Sequence, residues 1–86
     1  MKVLVNVAQG YLRGEVQAIQ NANPSITKTD AIERFANQRY GSWIKANLSD
    51  DFTITDVRDN CFCVDFTYED DANVFMRDIG GNALEA

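Results

Sequence analysis

Two stretches that alternate with period two, separated by three turn-forming residues, constrain this chain more than any other feature. Phe52 and Ile54 alternate with Thr53 and Thr55 up to Asp56 and Val57, Arg58, Asp59 and Asn60 follow, and the run from Cys61 to Tyr68 alternates again. Residues two apart lie on one side of a pleated strand, so the pattern predicts an antiparallel hairpin. One face carries Phe62, Val64, Phe66 and Tyr68, matched by Phe52 and Ile54, and is expected in the core. The other carries Cys61, Cys63, Asp65 and Thr67.

The residues after the hairpin read as a helix. Glu69, Asp70 and Asp71 place negative charge where a helix N-terminus is positive, and Ala72, Phe75, Met76 and Ile79 repeat at i, i+3, i+4 and i+7. Gly80 and Gly81 stop it, and the last five residues are expected to fray. The segment from Phe66 to Gly81, with its acidic turn, the Asp71-Ala72 pair and Phe75, resembles the closing segment of many short phage-encoded proteins. Such proteins are often small inhibitors or adaptors of host machinery, and the resemblance implies an origin rather than an activity.

The N-terminal half is more ambiguous. Val3, Val5 and Val7 alternate as in a strand, whereas Lys2, Asn6, Gln9, Arg13, Gln17 and Gln20 recur at helical spacing. The preferred reading is a strand over 2–8 and a helix over 11–21 with Gly10 as the break; one helix over 2–20 is the competitor. Pro24, the only proline, marks a turn within residues 21–25. Thr27 with Asp30 three residues later forms a capping signature, so a helix starts near Lys28. Its apolar face is Ile32, Phe35 and Ala36, and Gly41 is expected to end it in a left-handed conformation. Trp43, Ile44 and Leu48 form a second apolar set, and Ser42 is expected to cap an extra helical turn that carries the chain to Asn47.

These elements predict an α+β fold: one small domain, residues 1–86, with an antiparallel hairpin or sheet and two or three helices packed on one face. A chain of 86 residues and 9.7 kDa supports one thin core and no second domain. The apolar runs are far shorter than the ~18 residues of a membrane span, and Met1, Lys2 and the five residues up to Val7 are too short for a secretory signal, so a cytoplasmic location without membrane contact is expected.

Charge divides the chain unevenly. Residues 1–47 carry six cations (Lys2, Arg13, Lys28, Arg34, Arg39, Lys45) and three anions (Glu15, Asp30, Glu33), whereas residues 48–86 carry ten anions and only Arg58 and Arg77. The second field repels nucleic acid and attracts basic protein surfaces. A solvated acidic face is the plainer reading of the same residues.

Candidate chemistry is sparse. Histidine is absent, which removes Ser-His and Cys-His catalysis and histidine-containing zinc sites. Cys61 and Cys63 sit at strand spacing without two further soft ligands, and Asp50-Asp51 and Asp70-Asp71 lack a calcium-loop spacing, so neither a metal nor a cofactor is expected. Gly10 and Gly14 form no phosphate-cradling motif. The span from Thr27 to Asn47 admits a helix-turn-helix with Lys28, Arg34, Arg39 and Lys45 near phosphates, which makes a small DNA-binding regulator the alternative; the net charge of −5 argues against it. A minimal enzyme using Asp or Cys is a further alternative.

The best-supported class is a non-enzymatic, acidic protein-binding module, an inhibitor or adaptor that engages a basic site on a protein partner. Nucleic-acid mimicry, with carboxylates in place of phosphates, is its sharper form. The contact residues are expected to be Asp50, Asp51, Asp70 and Asp71 together with Arg39, Tyr40 and Trp43, because aromatics and arginine dominate contact hot spots; Tyr11 is of the same kind. For Trp43 a place in the core competes with a place at the interface. The non-core hairpin face, with Thr53, Thr55, Val57, Cys61, Cys63 and Thr67, is a second contact surface, suited to a homodimer.

Overall fold

The computed structural model describes residues 1–84. Four strands, Lys2–Asn6 (β1), Phe52–Thr55 (β2), Cys61–Phe66 (β3) and Asn82–Leu84 (β4), form one sheet in the order β2-β3-β1-β4. Every neighbouring pair is antiparallel: Phe52 faces Phe66, Val5 faces Phe62, and Lys2 faces both Asp65 and Leu84. Three helices cover one side. Helix α1 runs over 9–22, with a π-helical segment Leu12–Val16 between α-helical Gln9–Tyr11 and Gln17–Ala22; helix α2 runs over 28–47, with π-helical Asn37–Gly41 between Lys28–Ala36 and Ser42–Asn47. Helix α3 is Glu69–Asp78. The fold is α+β, and its strand order and connections are those of the ferredoxin-like split β-α-β arrangement with a helical pair in the first crossover.

The hairpin is antiparallel as expected, and Phe62, Val64 and Phe66 are 0 to 1% exposed. They meet Val3 and Val5 of β1, Ile32, Phe35 and Ile44 of α2, and Phe75 of α3 in one core. Tyr68 corrects the expectation for this face. It is 52% exposed because β3 ends at Phe66 and the chain leaves the sheet to enter α3.

Further expectations are overturned. A strand followed by a helix forms, as preferred over one helix across 2–20, but the break lies at Val7 and Ala8 and Gly10 belongs to the first turn of the helix. Thr27 and Asp30 do make a reciprocal capping box at the start of α2. That helix, however, passes through Gly41, whose φ of −60° is helical, and Ser42 caps nothing by its side chain. The buried Ile32, Ala36, Tyr40 and Ile44 recur at steps of four, a stripe that drifts about 40° per step around a regular α-helix. The wider π segment Asn37–Gly41 absorbs that drift and keeps the stripe on the core. Continuity over 28–47 also means that no helix-turn-helix exists there.

The last residues are paired rather than frayed as far as they are described. Gly80 and Gly81 take φ of 118° and 99°, which turns the chain back, and Asn82–Leu84 adds to the edge of β1. A Cβ at Gly81 would lie 2.8 Å from the Leu4 carbonyl oxygen, so the strand can approach only with glycine there. The expectation of fraying for Glu85 and Ala86 lies outside the described residues. Ile79, expected at the end of the buried α3 stripe, is 38% exposed just past the helix.

Candidate functional site

The four predicted carboxylates come together at one end of the sheet. The loop before β2 and the β3–α3 connection run side by side, tied by the Thr67 amide donating to the Asp51 carbonyl at 3.1 Å and by the Ser49 hydroxyl donating to the Asp71 carboxylate. Asp50, Asp51 and Asp70 are exposed, Asp71 is half-buried, and Glu69 joins them in the first turn of α3. That turn has no side-chain cap, so its three acidic residues answer the positive helix end electrostatically. Among the described residues Asp50, Asp51, Glu69 and Asp70 take part in no ion pair, whereas Asp56, Asp65 and Asp78 are each paired with a cation.

The predicted aromatic and arginine residues assemble elsewhere, around an open cleft of about 470 Å³ lined by Tyr11, Arg39, Tyr40, Trp43, Asp78 and Ile79. The guanidinium of Arg39 lies 4.3 Å from the centroid of the Tyr11 ring, donates to the Tyr11 hydroxyl, and has the Glu15 carboxylate 3.9 Å away. Both π segments converge here, since Arg39 and Tyr40 belong to one and Glu15 to the other. Widened turns of this kind re-aim side chains, and they recur at functional sites.

Tyr40 is corrected from surface contact to core. It is 9% exposed and packs on Phe35, Phe62 and Phe75 with ring centroids 5.4 to 6.3 Å apart. Burial raises its hydroxyl above the ordinary 10.0, against an opposing pull from Arg39. Trp43 stands between the two alternatives, half-buried, its ring edge-on to Phe75 at 6.0 Å and still lining the cleft.

The acidic end and the cleft share a helix. Asp71, Phe75 and Ile79 lie four apart, so α3 connects the Ser49 contact to the cleft wall over about 12 Å of rise. Sequence reasoning missed Asp78 and Ile79 as wall residues and the Tyr11–Arg39 pair, whose members are 28 positions apart with no periodic relation. The steps of four along α2 were the one available sign of its π segment.

The two thiols are free. Cys63 is buried, and its thiol is raised above 9.0 first by that burial and then by the Asp56 charge. Among the described residues no three Cys, Asp or Glu side chains gather as a metal site would require. Among the described residues no helix is long and apolar enough to cross a membrane. Comparison with family models, curated proteins and solved structures gives no match.

Proposed function

We propose that the chain is a non-enzymatic binding module, an inhibitor or adaptor, that docks on a basic site of a partner protein through the face running from the acidic end to the aromatic cleft. The observation that carries this reading is the placement of Asp50, Asp51, Glu69 and Asp70, exposed and among the described residues outside any ion pair, on the loop before β2 and the first turn of α3, which hydrogen bonds hold side by side. Fixed carboxylates of one sign accelerate encounter with a basic surface. The cleft supplies what charge does not, an aromatic anchor with a preset arginine. The acidic end acts in steering, and Trp43 and Arg39 act in retention.

A lysine- and arginine-rich peptide followed by the fluorescence of Trp43, the only tryptophan, tests this directly. Asp70→Lys and Asp59→Lys have equal net charge, but Asp59 lies in the β2–β3 connection at the other end of the hairpin. Asp70→Lys is expected to slow association several-fold more than Asp59→Lys at low salt, with the difference vanishing as salt screens it. Equal rates for the two variants would overturn the proposal.

A further inference from the structure

The side of the sheet without helices carries Leu4, Cys61 and the buried Cys63 at its middle, with Asn6, Thr53, Asp65 and Asn82 around them, and among the described residues its charges are paired. Along one row Thr55 faces Cys63 and Cys63 faces Leu4, with Cys61 beside them, and Leu84 on β4 faces Lys2. Leu84 is 42% exposed, and Leu4 and Cys61 are half-exposed. A solvated sheet face alternates to polar residues, and this one does not at its middle.

The charges here are matched. Lys2 pairs with Asp56 at 2.9 Å, and the N-terminal ammonium lies 3.6 Å from Asp65, so two cations and two anions cancel on a molecule whose net charge is −5. A second copy meets like-charge repulsion at the acidic end, whereas among the described residues the charges on this face are matched. Four strands about 4.8 Å apart and some five residues long present roughly 300 Å² in plan. Two copies bury about twice that, roughly half of the low end of the standard interface range, so the contact is weak and transient.

We propose that this face joins two copies of the chain, sheet to sheet about a two-fold axis, in a weak dimer that leaves the acidic end and the cleft free. The contact is apolar and neutral, so its dependence on salt is distinctive. Screening removes the repulsion between two acidic molecules and takes nothing from the contact, so association tightens as salt rises from about 20 to about 150 mM. Binding of a basic partner at the acidic end weakens over the same range.

Sedimentation velocity of the full chain from about 5 to about 500 μM at both salt concentrations tests this, a span that brackets weak association. The average mass is expected to rise from 9.7 kDa toward twice that value with concentration, and further at the higher salt. Thr53→Lys and Leu84→Lys, on the open face, are expected to weaken the dimer at least about tenfold, as a buried charge requires. Ala46→Lys, equal in charge and exposed on α2, is expected to leave it unchanged. Circular dichroism establishes that each variant is folded; Thr53 is exposed at an edge, so that variant keeps the test valid if Leu84→Lys loosens β4. A mass of 9.7 kDa at every concentration and salt, or a dimer indifferent to both open-face variants, would overturn the proposal.

Discussion

The two sides of the sheet are made by the same strands, yet different forces hold them. On the helix side Val3, Val5, Phe62, Val64 and Phe66 are 0 to 5% exposed, and each is surrounded by apolar atoms from several elements. On the other side Leu4, Thr55 and Cys61 are only half-covered, and the Lys2–Asp56 pair reaches across β3 near Cys63, which lies between their strands. The first side is specified by volume, because a close-packed interior registers the loss of a single methylene. The second is specified by pairing and charge, which tolerate substitution far better. Substitutions on the two sides should therefore differ in size, and the difference is measurable.

The largest effect is expected from Phe66→Ala. It removes a ring that packs 5.3 Å from Phe75, at a cost of about 3 to 5 kcal/mol, comparable to the whole stability of a small domain. A cooperative melt within a few degrees of wild type would mean that volume does not govern the helix side. Gly81→Ala comes next, because its φ of 99° and the 2.8 Å approach to Leu4 leave no room for a Cβ. Strain of about 1 to 3 kcal/mol should release β4, read as faster hydrogen exchange along β1. Unchanged exchange there would show that β4 contributes nothing to that edge.

Replacing Cys61 and Cys63 with serine probes the open side. A hydroxyl at half-exposed position 61 reaches water and one at buried position 63 carries the cost of burial, so the loss is at most about 1 to 3 kcal/mol, and binding should persist. A folded double variant unable to bind would promote the thiols from packing to function. Destabilisation beyond that of Phe66→Ala would erase the contrast between the two sides.

Titration sharpens the comparison further, with one group from each side. Tyr40 in the helical layer and Cys63 on the open side both hold their protons more tightly when folded, chiefly because they are buried. Their contribution is complete below 9.0 and is lost as pH rises past 9.0 for the thiol and 10.0 for the phenol. Lys2, raised above 10.5 by its hydrogen bond to Asp56, adds a loss of the same sign at higher pH. Asp56 and Asp78, lowered below 3.8 by Lys2 and Arg77, give the opposite limb, lost as pH falls through that region. The thermal midpoint should decline above about pH 9, and Tyr40→Phe should reduce that decline. An alkaline limb identical in Tyr40→Phe would show that the phenol is not responsible.

What was legible in the sequence follows from which interactions are local. The β2–β3 hairpin, the capping box at Thr27 and the start and stop of α3 each rest on neighbours in the chain, and all are present. Strand β4 was missed because its three residues are all exposed and carry no pattern; only pairing with β1 orders them. Gly41 suggested an end to α2 because a glycine at a helix C-terminus is a local signal. Burial of Tyr40 and Ile44 overrode it through contacts distant in sequence. The acidic half of the site was visible as composition, whereas the cleft depends on Tyr11 meeting Arg39 and on α3 ending beside Trp43.

The claim that the helix side is the docking side is tested most directly by amide chemical-shift mapping of the full chain titrated with a lysine- and arginine-rich peptide. Shifts confined to residues 49–52 and 67–71, spreading to 39–43 and 78–80 as the cleft fills, are the predicted result. Shifts centred on Leu4, Cys61 and Cys63 of the open sheet face, with the acidic end unmoved, would contradict it.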